Sequence, residues 1–152
     1  DPMLDEVRPY VADIKLGDSF DADAKLKDIL SNAKIFGVNL STKESVVPYA
    51  KKLQEKGARN VLISMAGEGA VLVSEDKSVF MAEAPKGTLI NGVGAGDSMV
   101  AGFLAGWMKS HDYKEAFRMG VACGSASAFS EYLADSEMIE KVYNQVQVNE
   151  CK

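Results

Sequence analysis

The residues best suited to chemistry stand together in Asn91-Gly-Val-Gly-Ala-Gly-Asp-Ser-Met-Val-Ala-Gly-Phe103, where glycines lead directly into an amphipathic helical pattern. The first N–H groups of a helix have no internal acceptor and lie at the positive end of the helix dipole. Glycines ahead of them let a phosphate approach without obstruction, so Gly92 to Gly96 has the makings of an anion site. Two familiar phosphate loops fit poorly. A P-loop needs Lys and then Ser or Thr after its last glycine, and here Asp97 and Ser98 stand there. A dinucleotide fingerprint needs glycine at position 97, and this pattern continues into more helix instead of a second strand. A carboxylate at the mouth of an anion site repels the ligand unless it has a task. In phosphoryl transfer that task is to accept the proton of the attacking hydroxyl while backbone donors absorb charge on the moving group. Asp97 as a mere helix cap behind a tight turn is an equally good reading of the loop on its own.

A second candidate is Ser64-Met-Ala-Gly-Glu-Gly69, a strand end entering a glycine turn. Such a turn can expose amides to phosphate, although the residues read more simply as an ordinary strand connection. His111, the single histidine, follows a helix end beside Asp112 and reads as a solvated C-terminal cap. Trp107 and Phe103, at helical spacing, read as core rather than as a platform for a base. Lys51, Lys52 and Lys56 read as a solvated helix face, and Cys123 as packing.

The elements that position these residues are legible from about Ser41 onward. Ser41, Thr42 and Glu44 form a capping-type start, and Val46, Val47, Ala50 and Leu53 recur at helical spacing until Gly57. Asn60 to Ala66 is a short apolar run rich in β-branched residues, expected to be a strand buried on both faces. Ala70 to Ser74 and Ser78 to Ala82 predict a hairpin across Glu75-Asp76-Lys77, and Thr88 to Asn91 a further strand. Helices are expected from Asp97 to about Ser110, from Tyr113 to about Tyr132 and from Asp135 to about Val146. The first would present Met99, Val100, Phe103, Leu104 and Trp107 on one face. Ala101, Gly102, Ala105 and Gly106 would leave another face almost bare, letting a neighbour come very close. Residues 1–34 are interrupted by Pro9 and Gly17; they suggest a short helix or strand and a helix near Ala22 to Asn32. Buried strands followed by helices indicate an α/β layer arrangement in a single domain, 1–152.

With 152 residues, 47% of them hydrophobic, the chain can bury one ordinary core. A net charge of -5 without a basic stripe argues against a nucleic-acid partner. No stretch reaches the roughly 20 apolar residues of a membrane span, and Asp1-Pro2 does not begin a leader. Cys123 and Cys151 make no ligand spacing and read as free thiols. A soluble, cytoplasmic protein is the expectation.

The string Val93-Gly-Ala-Gly-Asp-Ser-Met-Val-Ala-Gly-Phe103 resembles the second signature of the ribokinase/PfkB carbohydrate kinase family. Lys51 to Val71 is similar to the helix, strand and ATP-phosphate loop of its 1-phosphofructokinase and tagatose-6-phosphate kinase branch. Gly124-Ser-Ala-Ser-Ala-Phe129 resembles a later helix of the same branch, and the likeness runs from about Ile35 to Val146. The resemblance implies a ribokinase-like three-layer α/β fold, present in part, with a doubly wound sheet. It implies ATP contact at Ser64, Met65, Ala66, Gly67, Glu68 and Gly69, an anion hole at Gly94, Ala95 and Gly96, and catalysis by Asp97. ATP and Mg²⁺ would be the cofactors, with no metal ligand identified, and a homo-oligomer is allowed. The substrate would be a phosphorylated ketohexose, fructose 1-phosphate or tagatose 6-phosphate. Residues 1–34 show none of the family's sugar-binding or lid elements, and Lys25 to Lys34 stands where the family has Lys-Pro-Asn and an acidic residue. Two expectations follow: a sugar-phosphate kinase, or a truncated fragment that binds nucleotide without chemistry.

Overall fold

The computed structural model describes residues 42–152. The readings made for residues 1–41, including the helix near Ala22 to Asn32, lie outside these. Helix α1, Lys43–Glu55, begins at Thr42, whose Oγ1 accepts the Ser45 N–H while Ser45 Oγ accepts the Thr42 N–H, both at 3.2 Å. The capping box therefore closes through Ser45 rather than Glu44. Lys51, Lys52 and Lys56 are exposed as expected.

Strands β1 (Val61–Ser64), β2 (Ala70–Val73), β3 (Val79–Ala82) and β4 (Val148–Cys151) form one antiparallel sheet in the order β1-β2-β3-β4. Within the described sheet β1, β2 and β3 form a meander, and β4 returns to the edge of β3 after three intervening helices. Alternation along the strands sends Ala70, Leu72, Phe80 and Ala82 to one face and Val61, Val71, Val73 and Val79 to the other. The first set packs on α2 (Ala95–Ser110), α3 (Tyr113–Ala128) and α4 (Ser136–Tyr143), and the second on α1 through Val46 and Ala50. Three layers result, with β2 wholly buried at the centre. Burial of each such Val or Leu side chain contributes about 1.5–3 kcal/mol. β1 departs from expectation: Leu62 and Ile63 are half-buried and Ser64 is exposed, because among the described strands it pairs with β2 alone.

The hairpin joining β2 and β3 is as predicted. Ser74 and Ser78 close it, and Asp76 Oδ1 accepts from Ser74 Oγ at 2.5 Å and from the Ser78 N–H at 3.0 Å. These hydrogen bonds, the one from Ser74 foremost, hold the Asp76 carboxyl below its ordinary 3.8. Buried Gln54 ties α1 to this turn, donating to the carbonyls of Arg59 at 2.8 Å and Ser74 at 2.9 Å and accepting from Lys77 at 3.2 Å.

Helices α2 and α3 pack through glycine. A Cβ at Gly102 would stand 2.7 Å from Cys123 Cβ and Sγ, and one at Gly124 would stand 3.0 Å from the Ala95 carbonyl oxygen. Gly102 and Gly106 of the bare face are therefore buried against α3, while Ala101 and Ala105 beside them are exposed. Met99 and Phe103 join the core, whereas Val100, expected on the apolar face, is 51% exposed. Trp107 stacks on Tyr113 with ring centroids 4.3 Å apart. His111 caps the end of α2 in the left-handed region, exposed as predicted. Cys123 and Cys151 are free thiols, and partial burial raises the Cys123 thiol above its usual range.

Three boundaries differ from the sequence reading. Thr88 to Asn91 is not a strand, and α3 ends at Ala128 instead of near Tyr132. One contact explains both: the Ala128 carbonyl accepts the Ile90 and Asn91 N–H groups at 2.9 and 3.1 Å. Those amides close the helix end and are not available to a sheet ladder. The last helix stops at Tyr143, and Val148–Cys151 joins the open edge of β3. No helix among the described residues is long and apolar enough to cross a membrane.

Candidate active site

Two glycine turns face one another across a cleft of about 510 Å³. The sheet-side wall is the connection from β1 to β2, a single 3₁₀ turn at Ala66–Glu68. Its backbone is closed by Met65 N–H to Gly69 O at 2.8 Å, Glu68 N–H to Met65 O at 3.0 Å and Gly69 N–H to Ala66 O at 3.0 Å. Gly69 has φ +95°, and a Cβ there would stand 2.0 Å from the Ala82 carbonyl oxygen, so no other residue fits. Ala66 holds φ +49°, a left-handed conformation that costs a non-glycine residue roughly 1–2 kcal/mol. Outside the turn, Lys43 Nζ donates to the Glu68 carbonyl at 2.8 Å and pairs with Glu83 at 2.9 Å.

The helix-side wall is the start of α2. Gly94 is its N-cap at φ +79°, and the Ala95 N–H is taken by Gly92 O at 3.3 Å and that of Ser98 by Gly94 O at 2.9 Å. The Gly96 and Asp97 N–H groups have no acceptor among the described residues. They are the free donors of a helix N-terminus, backed by its dipole. A Cβ at Gly92 or Gly96 would meet nothing within 4 Å, so both positions are open to a ligand. Asn91 shapes the approach, its Oδ1 accepting the Val93 N–H at 3.0 Å and its Nδ2 donating to Glu131 O at 3.1 Å. Ser127 Oγ donates to Ser98 Oγ at 2.8 Å, locking the first turn of α2 to the last of α3.

Of the residues singled out in the sequence, Ser64, Ala66, Gly67 and Gly69 line the cleft together with Ala95 and Gly96. Met65, Glu68, Gly94 and Asp97 do not line it. Asp97 stands exposed in the first turn of α2, immediately after Gly96. The cleft also takes Met99, Val121, Ser125, Ala128 and Phe129 from the helices and Ala84, Pro85, Gly87 and Leu89 from the segment after β3. Sequence reasoning assigned none of these to a site. The signal available was the run of small residues in α3, which leaves room between helix and sheet, and Ser125 is its one polar side chain in the cleft.

A family model described as pfkB family carbohydrate kinase matches residues 29–139. The chain belongs to the pfkB family of carbohydrate kinases. Its match begins inside the segment from Lys25 to Lys34, where the family's Lys-Pro-Asn pattern could not be found, and ahead of the Ile35 boundary read from the motifs. Among pfkB relatives, the 1-phosphofructokinase of Bacillus subtilis (strain 168) is 50% identical over 115 residues, covering 76% of this chain and 38% of that protein. The D-tagatose-1-phosphate kinase of Bacillus licheniformis is 33% identical over 107 residues, covering 70% of this chain and 35% of that protein. That relative's name carries the 1-phosphate, where the sequence reading had named a tagatose-6-phosphate branch. Escherichia coli phosphofructokinase-2, solved in complex with substrates and products, superposes with a TM-score of 0.63 at 26% identity, over 74% of this chain and 36% of that one. The chain thus spans under two fifths of the length of the pfkB proteins it matches here.

Proposed function

We propose that this chain carries the nucleotide-binding and catalytic part of an ATP-dependent sugar-phosphate kinase, with fructose 1-phosphate as acceptor and fructose 1,6-bisphosphate as product. The observation that carries this reading is the free N-terminus of α2, with Gly96 open to the same cleft as Gly67 on the opposite wall. Amides on two sides and an apolar interior floored by Met99, Val121 and Phe129 suit a ligand with an anionic end and a flat apolar end. Gly94, Ala95 and Gly96 would form the anion hole, and Ser64 to Gly69 would hold the remaining phosphates.

In the proposed step the acceptor hydroxyl attacks the γ-phosphorus of ATP, the bond to the bridging oxygen breaks, and ADP leaves. Asp97 takes the hydroxyl proton, and the Gly96 and Asp97 N–H groups stabilise charge on the transferring phosphoryl group. Asp97 follows the anion hole directly in sequence, so base and charge-stabilising amides share one rigid turn. No group of three or more His, Cys, Asp or Glu that could hold a metal ion occurs among the described residues. In this reading Mg²⁺ would enter with the nucleotide, as MgATP, and would neutralise phosphate charge.

Asp97 stands outside the lining of the cleft, which favours a second reading, in which these residues bind nucleotide without turning it over. ADP release from MgATP separates the two, measured with fructose 1-phosphate and with tagatose phosphates, each beside Asp97→Asn. Release that depends on sugar and on Asp97 supports the kinase. Nucleotide binding with no sugar-dependent release leaves the second reading.

A further inference from the structure

The sheet-side wall depends on a residue outside the glycine turn itself. Lys43 is the first residue of α1, on the far face of the sheet from α2 and α3, yet its side chain is only 13% exposed. A lysine covered to that degree needs partners for its charge. Among the described residues it has two, the Glu68 carbonyl at 2.8 Å and the Glu83 carboxylate at 2.9 Å. Glu68 ends the 3₁₀ turn whose neighbours Ala66, Gly67 and Gly69 line the cleft. Glu83 immediately precedes Ala84 and Pro85, which line the cleft from the segment after β3.

We propose that Lys43 is a positioning residue for nucleotide binding. Its ammonium pins the Ala66–Glu68 turn to the segment that begins Glu83-Ala84-Pro85, so that two parts of the cleft wall hold one spacing before the ligand arrives. The inference rests on the reading of this cleft as the nucleotide site. The turn needs such a tie because Ala66 is held at φ +49° and relaxes toward ordinary dihedrals if the restraint is lost. The Glu68 carbonyl is the point at which the restraint acts, and a charged donor makes the stronger type of hydrogen bond there. A preformed wall lowers the ordering cost of binding, so the effect falls on affinity and not on the chemical step.

The test is titration of a fluorescent ATP analogue into the full chain for wild type, Lys43→Met, Lys43→Arg, Glu83→Gln and Gly96→Val, at a temperature where each is folded. Lys43→Met keeps the apolar stem and removes both contacts. It is expected to raise Kd about tenfold, a change of about 1.4 kcal/mol, while Lys43→Arg restores binding to within about threefold of wild type. Glu83→Gln keeps the bond to Glu68 and is expected to weaken binding about twofold, since Glu83 is 78% exposed and its pairing is screened. Amide exchange at Gly67 and Glu68 should quicken in Lys43→Met. Unchanged Kd in Lys43→Met beside a lost site in Gly96→Val overturns the role of Lys43 alone. Unchanged Kd in Gly96→Val, or no binding by wild type, overturns the nucleotide reading and this proposal with it. If Lys43→Met does not fold, unchanged Kd and exchange in Glu83→Gln count against the proposal.

Discussion

Gly69 on one wall of the cleft and Gly92 and Gly96 on the other use glycine for opposite reasons, while Gly67, on the sheet side, is open like the latter two. On the sheet side Gly69 is enclosed, its missing Cβ taken up by the Ala82 carbonyl, and it serves the fold. On the helix side Gly92 and Gly96 face open space, and nothing in the packing requires them to lack a side chain. A glycine that the fold does not need is more informative about a ligand than one that it does. The sheet-side turn is also held from behind by Lys43, whereas the helix-side loop is shaped from within by Asn91 and anchored by Ser98 to Ser127. The first wall is a fixed surface. The second presents free donors, with the exposed Asp97 carboxylate beside it and outside the cleft lining.

Substitutions on the two walls should therefore separate stability from binding. The largest effect is expected at Gly69→Ala, where the added methyl collides with backbone at 2.0 Å and the residue must keep φ +95°. A loss of about 3–5 kcal/mol in urea unfolding is expected, in the range of the most disruptive single changes. A loss below about 1 kcal/mol would show that the turn can move away from Ala82, and the wall could not then be called fixed. Next comes Asp97→Asn, which keeps size and hydrogen-bonding shape. It should lower kcat at least about 100-fold, the typical contribution of a general base, while nucleotide affinity and melting temperature stay near wild type. Steady-state ADP release with fructose 1-phosphate reads the first and thermal shift the others; an unchanged kcat removes Asp97 from the role of base.

Much of this architecture was legible because it is written in short-range patterns. The start of α1 at Thr42, the hairpin around Asp76 and the run of glycines before Asp97 are local signals, and each is where the sequence places it. The opposition of the two turns was readable only through family resemblance, since 24 residues separate Gly69 from Gly94 and no local pattern fixes their distance. What sequence reasoning missed depended on partners far along the chain. Thr88 to Asn91 has strand-like residues, but its amides are taken by the end of α3. Val148–Cys151 becomes a strand because β3 offers it an edge, a fact absent from its own composition. Gly102 and Gly106 of α2 admit α3 as closely as the bare face predicts, and Met99 and Phe103 join the core, whereas Val100 on the large apolar side is exposed. Ser125 was marked only by the run of small residues around it, and nothing in the local sequence ties Lys43 to Glu68 and Glu83.

The helix-side wall gives the next prediction in size. Gly96→Val adds a side chain where the fold leaves space, so unfolding free energy should change by no more than the intrinsic cost of valine in a helix, about half a kcal/mol. Nucleotide Kd should rise at least about tenfold, read by fluorescence titration, because the side chain occupies the approach to the free amides. Intact binding would mean that the anion does not pass this way, and the contrast between the walls would lose its functional half.

The smallest effect concerns a part of the sheet layer remote from the cleft, and it tests whether stability there is separable from binding. The Asp76 carboxyl is held below its ordinary 3.8 by hydrogen bonds that only the folded turn supplies, that from Ser74 being the largest. A depressed folded value means that the unfolded chain binds the proton more readily, so folding gains from ionised Asp76 above about pH 4. That gain disappears as pH falls through the lowered folded value, in a window below 3.8. Since the residue is exposed, solvent screening keeps the contribution to at most about half a kcal/mol. Urea midpoints between pH 6 and pH 3 should therefore fall slightly less steeply for Asp76→Asn than for wild type, with nucleotide Kd at neutral pH the same in both. Equal slopes would show that the turn holds its shape without the carboxylate. A changed Kd would show that this turn and the cleft wall, joined through β2, act as one body.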